Sequence, residues 1–182
     1  MKTRLFLCSR AAAVIVTGAM VICLFYCSTP ATEGTLTFEF ETVSYGGPFA
    51  PANAGVAWVK NNKGEQVKTL SLWGTRWAPH LRTWQHASPA DPPDAVTEAT
   101  YHAHSKHEVE WDCTDAKGRV VPNGFYHVCV EFTEENASSP DRITGRLMCA
   151  GFRKGVRSLV QTPPDDAYFK NIRLEYLSIS PW

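Results

Sequence analysis

His107-Glu108-Val109-Glu110-Trp111-Asp112-Cys113-Thr114-Asp115-Ala116-Lys117-Gly118-Arg119-Val120-Val121-Pro122-Asn123-Gly124-Phe125-Tyr126-His127-Val128-Cys129-Val130-Glu131-Phe132 is the stretch on which the fold turns. Its first five residues alternate, with His107, Val109 and Trp111 on one face and two glutamates on the other, the period of a half-buried strand. Its last eight are rich in β-branched and aromatic residues and read as a second strand. Between them, short acidic side chains can accept hydrogen bonds from the turn backbone and glycines can take its left-handed positions. Trp111 and Tyr126 are large enough to pack beneath the turn.

The same grammar extends in both directions. Thr35-Leu36-Thr37-Phe38-Glu39-Phe40-Glu41-Thr42-Val43 alternates cleanly, so Leu36, Phe38 and Phe40 should face a core. Gly55-Val56-Ala57-Trp58-Val59-Lys60 and Gln66-Val67-Lys68-Thr69-Leu70-Ser71-Leu72-Trp73 flank Asn61-Asn62-Lys63-Gly64, a hairpin turn by composition. The second of these strands does not alternate cleanly, which predicts a bulge or burial on both faces. Trp77, Leu81 and Trp84 recur at helical spacing, with Pro79 where a short helix can begin. Three prolines in Ser88-Pro89-Ala90-Asp91-Pro92-Pro93 then forbid its continuation. Residues 143–152 and 171–179 supply two more strands. The economical architecture is all-β: a single antiparallel, immunoglobulin-like β-sandwich with a short helical insertion, preceded by an N-terminal signal or anchor helix.

The N-terminus is legible as an export signal, because Lys2, Arg4 and Arg10 precede an apolar run over residues 11–26 and polar residues follow. That run is short of the ~20 residues of a membrane-crossing helix, although an uncleaved anchor remains an alternative. Leu24-Phe25-Tyr26-Cys27 loosely resembles a lipoprotein signal in which Cys27 would be acylated, putting the domain on a membrane face. The organisation read here is a signal or anchor over 1–27, a linker over 28–34 and a β-sandwich domain over 35–180. Lys plus Arg (18) balance Asp plus Glu (18), so nothing suggests a nucleic-acid partner. Export would place Cys113, Cys129 and Cys149 in an oxidising compartment. Cys129 and Cys149 could face each other across a hairpin, but unpaired, partly buried thiols are the favoured reading.

The Trp111-to-Tyr126 arrangement looks like the strand, turn and strand of the immunoglobulin-like domain in flagellar hook-capping proteins. Together with Thr37-Phe38-Glu39-Phe40-Glu41-Thr42, Gly46-Gly47-Pro48-Phe49-Ala50-Pro51, Val67-Lys68-Thr69-Leu70-Ser71-Leu72-Trp73-Gly74 and Asp94-Ala95-Val96-Thr97-Glu98-Ala99-Thr100, it resembles the periplasmic domain-of-unknown-function family 2271 over residues 35–177. The resemblance implies a secreted β-rich domain associated with flavin transferases and membrane-bound redox proteins, and itself a carrier of covalent FMN. Residues 94–100 resemble the D-x-x-[S/T]-G-A-T acceptor segment of bacterial flavin transferases. Asp94, Thr97, Ala99 and Thr100 match it, and the resemblance makes Thr100 the site of FMN attachment. Glu98 stands where glycine is expected, bringing a Cβ and a negative charge to a site that must accept a phosphate.

Three functions follow as expectations. The leading one is an extracytoplasmic electron-transfer flavoprotein with FMN on Thr100, in which the cofactor does the redox chemistry and the protein positions it. Asp94 and Thr97 would then be recognised by the transferase, and Trp73, Trp77 or Trp84 could stack on the flavin. The second is a non-catalytic envelope lipoprotein with a structural or protein-interaction role. The third is a metal binder, since His102 and His104 would share a face if they lay on a strand, with His80, His86 and His107 nearby in sequence. No spacing supports a Ser-His-Asp or Cys-His catalytic set, so the chain reads as a carrier or binding module rather than a stand-alone enzyme. Asn136-Ala137-Ser138 matches a glycosylation sequon.

Overall fold

The computed structural model describes residues 30–87, the backbone of 96–98, residue 100, and residues 102–179. The signal segment, Cys27, Asp94 and Ala99 lie outside the described residues. No helix among the described residues is long and apolar enough to cross a membrane.

Among the described residues, nine strands form two sheets. They are β1 (Glu33–Thr42), β2 (Ala54–Asn61), β3 (Gln66–Trp73), β4 (Val96–Glu98), β5 (Lys106–Trp111), β6 (Gly124–Thr133), β7 (Arg146–Lys154), β8 (Leu159–Gln161) and β9 (Phe169–Ile179). One sheet has the order β5-β1-β9-β8 and the other β4-β3-β2-β6-β7. All pairings are antiparallel except that of β3 with β4, which is parallel. The sandwich expected from the sequence is the architecture found.

The alternation of β1 has the predicted result. Leu36, Phe38 and Phe40 are buried between the sheets, against Val109 and Trp111 of β5, Leu174 and Tyr176 of β9, and Val128, Val130 and Phe132 of β6. Burying each such side chain contributes about 2 kcal/mol, which makes this layer the main source of stability. A second, smaller core lies on the outer face of the five-stranded sheet, where Val56, Trp58, Leu72 and Cys129 pack against Leu81 and Trp84. The two layers explain why β2 and β6 are buried on both faces. Opposite Ala57 and Trp58 the register steps from Ser71 to Thr69, which supplies the irregularity foreseen for β3.

The insertion covering that second core differs in detail from the helix read at Pro79. Thr75–His80 forms a 3₁₀ turn with Pro79 inside it, and α1 (Arg82–Ala87) begins only after Leu81. A 3₁₀ turn tolerates the missing proline N–H, but the turn cannot grow into an α-helix through it. Leu81 has no side-chain acceptor to offer the first amides of α1. Buried Glu131, projecting from β6, takes that role: its Oε1 accepts Thr83 N–H at 3.1 Å and its Oε2 accepts Trp84 N–H at 2.8 Å.

The Trp111 to Tyr126 turn is built as its sequence indicates. Asp112 Oδ1 accepts Thr114 N–H at 3.1 Å, and Asp115 Oδ1 accepts the amides of Lys117 (2.9 Å) and Arg119 (3.0 Å). Trp111 Nε1 donates to Thr114 O and Tyr126 Oη donates to Pro122 O, both at 2.7 Å, while the two rings pack 5.4 Å apart.

The cysteines correct the favoured reading of unpaired thiols. Cys129 and Cys149 are bonded to each other, and the reason is register: they sit directly opposite on β6 and β7, with Cα atoms 4.1 Å apart. Cys113 is free and buried.

Candidate functional site

The site lies at the end of the sandwich where β1 finishes, β2 begins and β6 ends. Here Phe49, Ala52, Asn53, Ala54, Trp77, Thr100 and the chain from Thr133 to Asn136 enclose a mostly apolar cavity of about 130 Å³. Phe49 comes from the Gly46-Gly47-Pro48-Phe49 loop and is 48% exposed. Its ring faces that of Trp77 at 5.9 Å, tilted by 33°. Trp77 is presented by the 3₁₀ turn, whose first bond runs from Trp77 N–H to Gly74 O at 2.7 Å.

Gly74 shows how tightly this corner is drawn. Its φ of +69° is left-handed, and a Cβ there would meet Ala54 Cβ at 2.6 Å and Thr100 Oγ1 at 3.1 Å. The hydroxyl of Thr100 therefore lies against the 3₁₀ turn that carries Trp77. Asn53, buried beside it, is committed: its Oδ1 accepts Trp73 Nε1–H at 2.9 Å and its Nδ2 donates to Pro51 O at 3.2 Å.

Glu134 holds the aromatic loop in place. Its Oε2 accepts the amides of Tyr45 (3.1 Å) and Gly47 (2.9 Å), its carbonyl accepts Phe49 N–H (3.0 Å), and its own N–H donates to Tyr45 Oη (2.7 Å). Its Oε1 receives His104 Nε2 at 2.6 Å, and His104 Nδ1 lies 2.9 Å from Thr42 Oγ1. Burial by itself would raise the Glu134 carboxyl, but donors from Ser44, Gly47, His104 and Tyr45 outweigh it and hold the group below its ordinary value. Thr42 Oγ1 is also 3.5 Å from Nε2 of His107, which is stacked on Phe40 and Trp73 at 4.9 Å each.

The residues singled out from sequence meet different fates. Thr100 lines the cavity and Trp77 forms its wall. Trp73 and Trp84 are buried core residues and do not reach it, which removes them as flavin-stacking candidates. The backbone of Thr97 pairs with Leu72 in the β3–β4 ladder. His102 and His104 precede β5 rather than lying on a strand, so the shared face expected of them does not arise. His102 is exposed, whereas both ring nitrogens of His104 are taken by Glu134 and Thr42. His86 is exposed, and His80 Nδ1 accepts Ala137 N–H at 3.1 Å. Among the described residues, no three His, Cys, Asp or Glu side chains come together as a metal site would require.

Phe49 and Glu134 carry much of the site and were not picked out from sequence. Phe49 had a signal, since it sits within the Gly46-to-Pro51 segment of the family resemblance. Glu134 had none, because its partners lie 30 and 87–89 residues away along the chain.

The family model described as a predicted periplasmic protein (DUF2271) matches residues 35–143, more than half of the chain. The chain belongs to this family. In this DUF2271 domain the matched region runs from β1 past the end of β6 and includes every wall of the cavity. Neither the curated proteins nor the solved structures provide a match. The family's periplasmic description agrees with the export signal read in residues 1–27, and the Cys129–Cys149 bond is of the kind that persists in an oxidising compartment.

Proposed function

We propose that this chain is an extracytoplasmic electron-transfer module carrying FMN on Thr100, working between a membrane-bound redox protein and an acceptor. The observation that carries this reading is that Thr100 lines an apolar cavity walled by the rings of Phe49 and Trp77. At about 130 Å³ the cavity is well below the ~300 Å³ of pockets that enclose a whole ligand. It suits one edge of a planar ring system, leaving the remainder open to a redox partner. The flavin, when bound, supplies the electron chemistry. Phe49 and Trp77 offer it apolar contact. Among the described residues the cavity lining holds Glu134 and Glu135 and no Lys or Arg, so a phosphoester on Thr100 would be solvated rather than cradled by cations.

Attachment needs a transferase and an activated flavin phosphoanhydride of the FAD type. Thr100 Oγ1 forms the new O–P bond, the anhydride P–O bond breaks, AMP leaves and the hydroxyl proton is lost to the transferase's base. A second reading, a non-catalytic envelope lipoprotein, is favoured by one observation. The acceptor-like segment is partly taken up by β4, and its Glu98 replaces the glycine expected there.

Co-expression of the exported chain with a bacterial flavin transferase, followed by intact-mass measurement, separates the two. The flavin reading expects a gain of one FMN less one water that disappears in Thr100→Ala. No gain in the natural sequence, alongside a gain in Glu98→Gly, would establish the second reading instead.

A further inference from the structure

At the opposite end of the sandwich, four large apolar side chains stand in solvent: Val156 (64% exposed), Val160 (57%), Leu177 (52%) and Ile179 (59%). They form one corner. Val160 of β8 is opposite Glu175 of β9, and Leu177 and Ile179 are the next residues on that outward face. On the other side of β9, Leu177 is opposite Thr35 and Ile179 is opposite Glu33 of β1. The turn carrying Val156 is tied to the same place, since Tyr176 Oη donates to Gly155 O at 2.7 Å and Ser178 N–H donates to Ser158 Oγ at 3.0 Å. Monomeric domains usually keep such groups of apolar side chains small unless something covers them.

This corner is also where the chain enters the sandwich. Thr32 is buried and tied on three sides: its N–H donates to Asn123 Oδ1 (2.9 Å), its Oγ1 accepts from Asn123 Nδ2 (2.8 Å), and its carbonyl accepts from Lys154 Nζ (2.6 Å). Lys154 is itself buried, directly before the turn that carries Val156. Only five residues, 27–31, separate the apolar run over residues 11–26 from Thr32. The six extended steps from residue 26 to Thr32 reach no more than about 22 Å.

We propose that this apolar corner rests on the lipid surface of the extracytoplasmic membrane leaflet. Its four side chains enter the headgroup boundary, and the exposed guanidinium of Arg157 beside them reaches lipid phosphates. β1 runs from the corner at Glu33 to the cavity end at Thr42, so at about 3.3 Å per residue the cavity is held roughly 30 Å from the lipid. The cavity would open away from the membrane, toward soluble partners. The inference does not depend on flavin attachment.

The test uses the full-length chain exported in a bacterial host, with a photoreactive benzoylphenylalanine placed singly at Val160, at Leu177, or at two exposed positions elsewhere, Ser139 and Glu108. Illumination of intact cells should give phospholipid adducts at Val160 and Leu177, several-fold above those at Ser139 and Glu108. Adducts at Val160 and Leu177 that are mainly protein, whether a second copy or another envelope protein, would overturn the proposal. Lipid yields equal to those at the two control positions would do the same.

Discussion

The imidazole of His104 lies 2.6 Å from the carboxylate of Glu134, a side chain with no exposure to solvent. The pair joins three stretches distant in sequence: the loop carrying Phe49, the end of β6, and the segment that follows Thr100. Removing His104 would take one donor from a buried carboxylate that keeps two amides. His104→Ala is therefore expected to cost about 2 kcal/mol, measured by chemical denaturation at neutral pH.

The same carboxylate gives the fold an acid sensitivity with a definite sign. Because the folded-state pKa of Glu134 is depressed, its contribution is complete above the ordinary carboxylate value. It is lost as pH falls through that value toward the lower folded one. Glu134→Gln should lose most stability near neutrality and progressively less below about pH 4. A constant difference across that range, in denaturation curves taken at several pH values, would contradict the assignment.

Glu131 behaves in the opposite way. Burial raises its carboxyl, and the Trp84 and Thr83 amides offset that only in part. A raised folded-state pKa gives stability that is present below the ordinary value and lost as pH rises through the folded one. Glu131→Gln escapes that loss, so the gap between the natural chain and this variant should narrow from pH 4 to pH 7. Glu131→Ala, which leaves the first amides of α1 without an acceptor and also removes the titrating group, should cost about 2 kcal/mol at pH 4 and less as the pH rises to 7.

The Cys129–Cys149 bond closes a short loop, with a sequence separation of 20. Chain-entropy reasoning assigns a loop of this size about 3 kcal/mol. Thermal melting with and without reductant should therefore show a clear drop in Tm, reproduced by the double Cys→Ala variant without reductant.

Among the described residues Cys113 is the free thiol, and burial pushes it up to about 12. The thiolate is the reactive form, so Cys113 should resist alkylation in the native protein at pH 8 and react promptly once unfolded. Intact mass after iodoacetamide treatment, with and without denaturant, reads this directly.

What could be read from the sequence is what depends on near neighbours. The alternation of β1 and β5, the hairpin at Asn61-to-Gly64 and the Asp112 and Asp115 turn all declare themselves within a few residues, because pleat and turn chemistry are local. β4 and β8 have three residues each, too few for any period to show. The disulfide depends on strand register, which the spacing of two cysteines does not fix. Thr100 was singled out by likeness of sequence, and Trp77 by its aromatic character. Their meeting with Phe49, and the role of Glu134 in fixing that loop, depend on contacts between segments far apart in the chain. The shared histidine face does not form because His102 and His104 lie before β5, in residues that are not strand.

The parallel pairing of β4 has one more consequence. Ser71, Leu72 and Trp73 lie opposite Val96, Thr97 and Glu98 along the rim of the five-stranded sheet. An enzyme that draws this segment into its own cleft must unzip that ladder, and the rim of β3 is then bare to water. Engagement would be visible as faster exchange at those amides of residues 71–73 that point toward β4, while the amides of β2 and β6 stay protected, a signature legible before any chemistry has taken place.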